Sequence, residues 1–294
     1  MSKIILIVGP TATGKTKLSI ELAKLYNAEI INADSTQIYK EPLIATAKIT
    51  NEEKENIPHH MIDLVSLNDD YTLFDYQRDG RRILNKLISD NKNIIIVGGS
   101  GLYIKALLYD YNLEKTTPDI IDYSKYTNQE LKSMVDKIDI NNDIHVNNRQ
   151  RMERYLTYYN KTGNTIKKTN EINKKLYDFT SIGLRANRNE LYDRINNRVD
   201  DMFENGMLDE AKRLYKLNLK NFTNIIGYRE LNLYFKNEIS LDDAKDLIKK
   251  NTRHYAKRQF TWFYNQMKDI TWFDINYNNF DETINKIKKY LNLN

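Results

Sequence analysis

A short glycine-containing turn between an apolar segment and an amphipathic one constrains this chain more than any other feature. Residues 4–8 (IILIV) form an unbroken apolar run that is typical of a buried parallel strand. Residues 15–26 carry leucines at helical spacing. The turn between them matches the pattern G-x-x-x-x-G-K-[ST] and consists of Gly9, Pro10, Thr11, Ala12, Thr13, Gly14, Lys15 and Thr16. A strand, a turn of this kind and a helix predict the first unit of a parallel α/β sheet.

The chemistry of this turn favours a ligand that carries phosphates. Its glycines let the backbone approach an anion closely, and the amides at the start of the next helix direct partial positive charge at it. In such a loop the Lys15 ammonium contacts phosphoryl oxygens and the Thr16 hydroxyl coordinates Mg²⁺. The pattern therefore predicts a diphosphate or polyphosphate site, and it leaves open which molecule carries the phosphates.

The periodicity of the remaining chain predicts further strands and helices. Apolar runs that begin at residues 28, 93 and 180 indicate strands. Helical spacing marks residues 71–90, a segment from about Leu102, residues 149–160, one long helix from about 190 to 215, and most of 228–268. Because residues 112–178 contain no convincing strand, we predict an α/β core, residues 1–114 and 179–294, interrupted by a helical insertion, residues 115–178.

The composition excludes several classes of protein. The 294 residues include no cysteine, which excludes disulfides, cysteine-ligated zinc, iron–sulfur clusters and thiol catalysis. Hydrophobic residues make up 40%, enough for a packed core, and the apolar runs are too short to cross a bilayer. A net charge of +5 is compatible with an anionic partner without requiring one. We expect a cytoplasmic protein with no membrane contact.

The positions of the acidic residues help to distinguish between the possible reactions. A typical nucleoside triphosphatase with this loop holds its metal with an acid at the end of a neighbouring strand. Here the strand that begins at residue 93 ends in Gly98, Gly99, Ser100 and Gly101, whereas Asp34 ends the second strand. Asp34 is a candidate general base toward an acceptor, as in P-loop kinases, or it caps the following turn with Ser35.

A basic and aromatic cluster lies in the C-terminal third of the chain. Arg253, Lys257 and Arg258 alternate with aromatic residues, a composition that suits RNA backbone contacts and base stacking. The alternative is an amphipathic helix whose cations are solvated. We expect Phe260 and Trp262 to belong to the core in either case.

Together these motifs resemble the tRNA dimethylallyltransferase family, whose members are also called tRNA isopentenyltransferases. The resemblance covers nearly the whole chain in the family's order and is weakest in residues 112–144. It rests on the segments GPTATGKT, NADSTQIY, TAK (46–48), PHHMID (58–63), FDYQRD (74–79), VGGSGLY (97–103), HVNNRQRMERYLTYYNKTG (145–163), LYDRINNRVDDM (191–202), IGYREL (226–231) and TRHYAKRQFTWF (252–263).

The resemblance implies a P-loop kinase-like core and a prenyl transfer reaction. In the family, a dimethylallyl group passes from dimethylallyl diphosphate to the 6-amino group of adenosine 37 in tRNA, diphosphate leaves, and Mg²⁺ is required. The phosphate loop would then hold the diphosphate with help from Arg194 and, above all, Arg198. The implied catalytic residues are Asp34 as the base, Lys15, Thr16 as the metal ligand, and Arg198.

The resemblance also implies a set of tRNA contacts. Some match positions that touch a flipped adenosine and its neighbours, and others match a tRNA-contacting stretch of the insertion. With the basic cluster added, the expected tRNA-binding residues are Asp34, Ser35, Thr36, Gln37, Ser100, Gln150, Arg151, Met152, Glu153, Arg154, Arg253, Lys257 and Arg258. Thr36 stands where many members have arginine, and Ala45 replaces a usual glycine.

Three other functions remain open at this point. A small-molecule P-loop kinase would use ATP, with Asp34 as its base. An adenylate isopentenyltransferase would act on free AMP or ADP and would have less need of Arg151 and Arg154. A nonenzymatic RNA-binding protein is disfavoured because Gly14, Lys15 and Thr16 are all intact. We expect a monomer.

Overall fold

The computed structural model describes residues 2–111, 113, 121–165 and 174–292. The chain divides into two compact units, the first made of residues up to 111 and from 175 onward, and the second of residues 112–174. The sequence predicted an insertion from residue 115 to residue 178. These boundaries lie three and four residues beyond those of the second unit, 112 and 174, and residue 115 itself is outside the described residues.

The first unit is built on a sheet of six parallel strands. They are β1 (Ile4–Val8), β2 (Ala28–Asn32), β3 (His59–His60), β4 (Asn93–Gly98), β5 (Thr180–Arg185) and β6 (Ile270–Asp274). Their order across the sheet is β3-β2-β4-β1-β5-β6, so β1 pairs with β4 on one side and β5 on the other. The predicted α/β class with a parallel sheet is confirmed.

Helices connect and cover these strands. In chain order they are α1 (Lys15–Tyr26), α2 (Asn51–Lys54), α3 (Leu73–Ser89), α4 (Gly101–Leu108), α5 (Asn128–Ile138), α6 (Arg149–Thr162), α7 (Arg188–Glu204), α8 (Met207–Lys216), α9 (Tyr228–Phe235), α10 (Leu241–Gln266) and α11 (Phe280–Tyr290). The expected helices over 71–90 and from about Leu102 correspond to α3 and α4, and the expected helix over 149–160 corresponds to α6.

Alternate side chains of β1 enter two different cores. Ile5 and Ile7 pack with α1 and α11, whereas Leu6 and Val8 pack with α3, α4 and the end of α10. Helices thus cover both faces of the sheet, which explains why its central strands are apolar without interruption. A third cluster joins α7, α8, α9 and α10, and its centre includes Val199, Met207, Ala211, Leu214, Leu231 and Ile248.

The segment 190–215 does not form the single helix expected from its pattern. α7 ends at Glu204 and α8 begins at Met207, and Gly206 between them has a φ of +93°. Glycine adopts this left-handed conformation without steric strain, so the helix can end there. Because the hydrophobic period continues on both sides of the break, the period alone did not locate it.

The second unit is a small helical body of its own. Thr127 starts α5 with a capping box to Glu130, and Asn148 caps α6. The two helices share a core made of Tyr123, Leu131, Val135, Ile144, Met152, Tyr155 and Leu156. In neither unit do the described residues include a helix with the length and apolarity needed to cross a membrane.

Candidate active site

A cavity of about 930 Å³ opens at the carboxyl ends of β1, β2 and β4, the edge at which open α/β sheets bind ligands. Its wall brings together residues that are distant in the chain, among them Thr11, Ala12, Thr13, Gly14, Lys15, Thr16, Asp34, Ser35, Thr36, Gln37, Arg194 and Arg198. Of the residues expected to bind diphosphate, Gly9 and Pro10 are buried and lie outside this wall.

The phosphate loop is held in its shape by contacts of its own and of β5. A Cβ on Gly9 would lie 2.6 Å from the carbonyl oxygen of Leu184, so only glycine permits this close passage. Thr13 is fully buried, and its hydroxyl donates a hydrogen bond to the Pro10 carbonyl over 2.8 Å. Thr13 can therefore meet a ligand through its backbone amide, while its side chain stabilises the turn.

Lys15 lies in the loop with its ammonium turned back on the chain. Its Nζ donates a hydrogen bond to the Pro10 carbonyl over 2.7 Å. Burial lowers the pKa of Lys15 to about 8, because removal of water disfavours the charged form; the Asp34 charge opposes this shift and the Arg198 charge adds to it. A bound anion would supply the negative charge that favours the ammonium form.

Asp34 directs the turn that follows β2. Its Oδ1 accepts two hydrogen bonds from Thr36, one from the backbone N–H over 2.9 Å and one from the hydroxyl over 2.7 Å. The capping role is thus met through Thr36, not through Ser35. The other carboxylate oxygen of Asp34, Oδ2, accepts no hydrogen bond from the residues that the structure describes, so it is available for a ligand.

Arg194 and Arg198 reach the cavity from successive turns of α7. The Nη1 of Arg198 lies 3.5 Å from the Thr11 hydroxyl, at the phosphate loop. Burial and the neighbouring Arg194 charge lower the pKa of Arg198, and Asp34 raises it. Arg194 is more exposed, and its guanidinium lies 5.0 Å from the centre of the Tyr277 ring. Two cations therefore stand beside the loop, and Arg198 is the one that contacts it.

Comparison with known proteins identifies one family for this chain. The family model described as IPP transferase matches residues 37–266, most of the chain. The chain belongs to the IPP transferase family. It is 43% identical over 283 residues to a tRNA dimethylallyltransferase of Enterococcus faecalis, with 92% of each chain covered. A tRNA dimethylallyltransferase of Anoxybacillus flavithermus is 41% identical over 307 residues and covers 98% of this chain and 96% of its own.

Solved structures of similar proteins agree with this assignment. A tRNA isopentenylpyrophosphate transferase of Bacillus halodurans has a TM-score of 0.76 and 37% identity, covering 99% of this chain and 96% of that one. A eukaryotic dimethylallyltransferase acting on tRNA has a TM-score of 0.81 and 28% identity, covering 100% and 81%. The resemblance inferred from the sequence motifs is confirmed.

In this IPP transferase, the polar turn after β2 is linked to the turn after β4. The backbone N–H of Ser35 donates to the Ser100 hydroxyl over 3.0 Å, and the two serine hydroxyls are 3.1 Å apart. Gln37 donates through its amide to the carbonyls of Thr46 and Ala47, at 3.2 and 3.3 Å. The side-chain amide of Gln37 thus holds the loop around Ala45, and its carbonyl oxygen remains for other contacts.

Gln259 and Glu210 support the site and were not singled out from the sequence. Gln259 is buried on α10, where its Oε1 accepts from the Thr11 N–H over 2.9 Å and its Nε2 donates to the Gly99 carbonyl over 3.1 Å. It therefore ties the phosphate loop to the end of β4. Glu210 on α8 accepts from the backbone N–H groups of residues 43, 44 and 45. Gln259 lies in the segment TRHYAKRQFTWF, in which the sequence alone indicated a function only for the neighbouring cations.

The insertion residues expected to contact tRNA differ in exposure. Gln150, Arg151 and Arg154 are exposed on α6, and Arg151 pairs with Asp143 at 2.8 Å. Met152 is fully buried in the core of the second unit, so the expectation of an RNA contact by its side chain is wrong. Met152 continues a cationic stretch in sequence but falls on the opposite face of the helix. Glu153 is half-buried and pairs with Arg149 at 2.7 Å.

The cations of α10 also divide into two groups. Lys257 and Arg258 are exposed, whereas Arg253 is half-buried and donates to the Asn196 side chain over 2.5 Å. Trp262 and Phe260 are half-buried as well, each packed against another aromatic ring of the core region, Phe263 and Trp272 respectively. Arg253 therefore stabilises the packing of α10 on α7, whereas Lys257 and Arg258 lie exposed nearer the end of α10.

The protein oxygens near the phosphate loop would suit a Mg²⁺ ion that takes most of its ligands from a bound phosphate compound and water. Thr16, in the first turn of α1, presents its hydroxyl at the cavity wall. No cluster of three or more histidine, cysteine or carboxylate ligands occurs in the part of the chain that the structure describes. Mg²⁺ characteristically uses few protein oxygens together with phosphate oxygens and water, so a single hydroxyl beside a phosphate-binding loop would suit it.

Proposed function

We propose that this protein transfers a dimethylallyl group from dimethylallyl diphosphate to the 6-amino group of adenosine 37 in tRNA and releases diphosphate. The observation that carries the proposal is the joint placement of the phosphate loop, Arg198 and the Asp34 carboxylate on the wall of one cavity. A diphosphate bound at the loop and an amine bound at Asp34 would then share that cavity.

The leaving diphosphate needs positive charge as the carbon–oxygen bond breaks. Lys15, the loop amides and Arg198 supply it at the phosphate loop. Arg194 adds a more distant cation. Mg²⁺ bound by Thr16 and phosphate oxygens would neutralise further charge on the leaving group. A fixed arrangement of these groups stabilises the transition state because little reorganisation is needed as charge develops.

The attacking amine needs a proton acceptor. The lone pair of an adenine 6-amino group is delocalised into the ring, so the nitrogen is a weak nucleophile until it loses a proton. Asp34 accepts that proton through Oδ2, while Thr36 holds Oδ1. One proton passes from nitrogen to carboxylate as the nitrogen–carbon bond forms and diphosphate departs.

The acceptor base has to leave its stack to reach this cavity. Base flipping places a nucleotide in a pocket from which water is excluded, and water would otherwise react with an electron-poor allylic carbon. Ser35, Thr36, Gln37 and Ser100 line or support the acceptor side of the cavity. Exposed cations, Arg151 and Arg154 on the insertion with Lys257 and Arg258 on α10, would bind the RNA backbone. We propose a cytoplasmic monomer.

A transfer assay tests the proposal directly. Purified protein, Mg²⁺ and labelled dimethylallyl diphosphate are incubated with unmodified tRNA bearing adenosine 37, with the same tRNA bearing guanosine 37, and with AMP. Label on the adenosine 37 tRNA alone is expected. Label on AMP alone would identify an adenylate isopentenyltransferase. If no label is transferred and a parallel reaction supplied with ATP consumes it, the protein would be identified as a kinase.

A further inference from the structure

The segment that follows β6 contacts the phosphate loop and the start of α1. The Tyr277 hydroxyl donates a hydrogen bond to the Ala12 carbonyl over 3.1 Å. The Phe280 ring lies against Gly14. A Cβ added to Gly14 would be 2.6 Å from the Cζ of Phe280. Asp281 pairs with Lys17 at 2.8 Å. These residues lie beyond the range 37–266 that the family model matches.

Among these contacts, that of Tyr277 falls on the part of the loop that determines its shape. Ala12 has a φ of +64°, a left-handed conformation that an alanine adopts only when its surroundings hold it there. The Ala12 carbonyl and the Thr13 N–H belong to one planar peptide unit and point in opposite directions. A hydrogen bond that fixes the carbonyl therefore fixes the direction of the Thr13 N–H as well.

The ring of Tyr277 has a second partner at the same cavity. The Arg194 guanidinium lies 5.0 Å from the ring centre, within the range of a cation–π contact. Arg194 is otherwise an exposed side chain on α7, with several rotamers to lose when a ligand binds. Burial raises the pKa of Tyr277 to about 12, against the opposing Arg194 charge, so the hydroxyl remains a donor over the physiological range.

We propose that Tyr277 is a positioning residue for the diphosphate site. Its hydroxyl holds the Ala12–Thr13 peptide, and its ring holds Arg194 beside the loop, so both are in place before the ligand arrives. The inference rests on the proposed function only for the identity of the ligand as a diphosphate. Preorganisation of this kind strengthens binding because less conformational freedom is lost on association.

The test compares two variants at this position with a matched tyrosine elsewhere. Tyr277→Phe removes only the hydroxyl, and Tyr277→Leu also removes the aromatic ring beneath Arg194. Tyr290→Phe is the control, since its hydroxyl bonds to the Thr271 hydroxyl over 2.9 Å and Tyr290 is outside the cavity wall. The dissociation constant of inorganic diphosphate with Mg²⁺ is measured by calorimetry, and melting temperatures and the KM for each substrate are measured alongside.

We expect Tyr277→Phe to bind diphosphate about two- to tenfold more weakly, the range for loss of one neutral hydrogen bond. Tyr277→Leu should bind it more weakly still. In Tyr277→Phe, the melting temperature and the KM for tRNA should match the wild type, while the KM for dimethylallyl diphosphate rises. Tyr290→Phe should match the wild type throughout.

Three results with the variants would overturn the inference. They are an unchanged diphosphate affinity in Tyr277→Phe, an equal loss in Tyr290→Phe, and a parallel rise of both KM values with a lower melting temperature. If the wild-type protein binds diphosphate but transfers no prenyl group, the proposed function would be wrong. The inference about Tyr277 would stand, since it is judged by diphosphate binding. A wild type that binds no diphosphate would remove both.

Discussion

At the scale of single residues, Asp34 uses one carboxylate oxygen to shape the turn after β2, and the proposed base is the other oxygen. Thr36 donates twice to Oδ1, which fixes the plane of the carboxylate and the turn after β2 together. The turn-forming role and the role as a base, alternatives in the sequence, are compatible in this geometry because they use different oxygens. Thr36 thus has a structural reason to stand beside this carboxylate.

Asp34→Asn should separate these two roles. The asparagine amide oxygen can accept the same hydrogen bonds from Thr36, but the amide cannot take up a proton at neutral pH. We expect kcat to fall by about 10²-fold or more while the dissociation constant for tRNA changes less than about threefold. Single-turnover transfer and filter binding measure the two quantities. Asp70→Asn, at an exposed carboxylate paired with Lys220, is the control. A loss of tRNA affinity as large as the loss in rate would assign Asp34 a purely structural role.

The lowered pKa of Lys15 predicts how diphosphate binding depends on pH. Its pKa of about 8 in the free protein means that the ammonium is present below pH 8 and lost above it. Affinity for inorganic diphosphate should therefore be constant near pH 7 and fall above pH 8, by up to about tenfold per unit. The ligand gains negative charge over this range, so its own titration would act in the opposite direction.

Lys15→Arg provides the comparison for the pH profile, because arginine stays charged throughout. Its affinity, even if weaker overall, should lack the decline between pH 8 and 9.5. Calorimetric titrations of both proteins across this range measure the profile. The same alkaline decline in Lys15→Arg would show that another group is responsible.

At the scale of secondary structure, the elements next to the phosphate loop were predictable and those at the sheet edge were not. β1 and α1 follow from a motif that requires a strand before it and a helix after it. β6 is an edge strand, with Ile270 its only buried residue in a pattern that lacks clear alternation. Its place beside β5 depends on long-range pairing, which no local pattern of residues 270–274 records.

The same limit applies to the candidate site. Its loop, Asp34 and the α7 arginines could be singled out from motifs, whereas the roles of Gln259, Glu210 and Tyr277 depend on contacts with segments far away in sequence. Glu210 accepts from the N–H groups of residues 43 to 45, over 3.0 to 3.3 Å, and from the Tyr228 hydroxyl. Only the folded chain shows that this carboxylate holds a loop of the cavity wall.

Glu210→Ala should destabilise the protein through that loop. It would leave several partly buried N–H groups and the buried Tyr228 hydroxyl without their acceptor, so we expect the free energy of unfolding to fall by about 2–4 kcal/mol. Asp209→Ala, at the exposed neighbouring position on α8, should change it by less than about 0.5 kcal/mol. Urea unfolding followed by circular dichroism measures both. Equal stability of the two variants would show that Glu210 does not anchor the loop.

At the scale of the whole molecule, residues 112–174 form a compact unit of their own. This unit has its own core, and α6 keeps Met152 inside it while Gln150, Arg151 and Arg154 stay exposed. The sequence predicted a tRNA-binding stretch as a continuous run, but a helix divides such a run between its two faces. The exposed arginines are therefore the part of the run that can contact RNA.

A double variant, Arg151→Ala with Arg154→Ala, tests whether the second unit binds tRNA. If each arginine neutralises a phosphate, the slope of log K against log salt should become shallower by about 0.7 to 0.9 for each one. Affinity for inorganic diphosphate should stay at the wild-type value, because the phosphate loop belongs to the first unit. Lys137→Ala, at an exposed cation on α5 of the same unit, is the control and should leave the slope unchanged. Filter binding of tRNA at several salt concentrations gives the slopes. A double variant with the wild-type slope would exclude these arginines from the RNA interface.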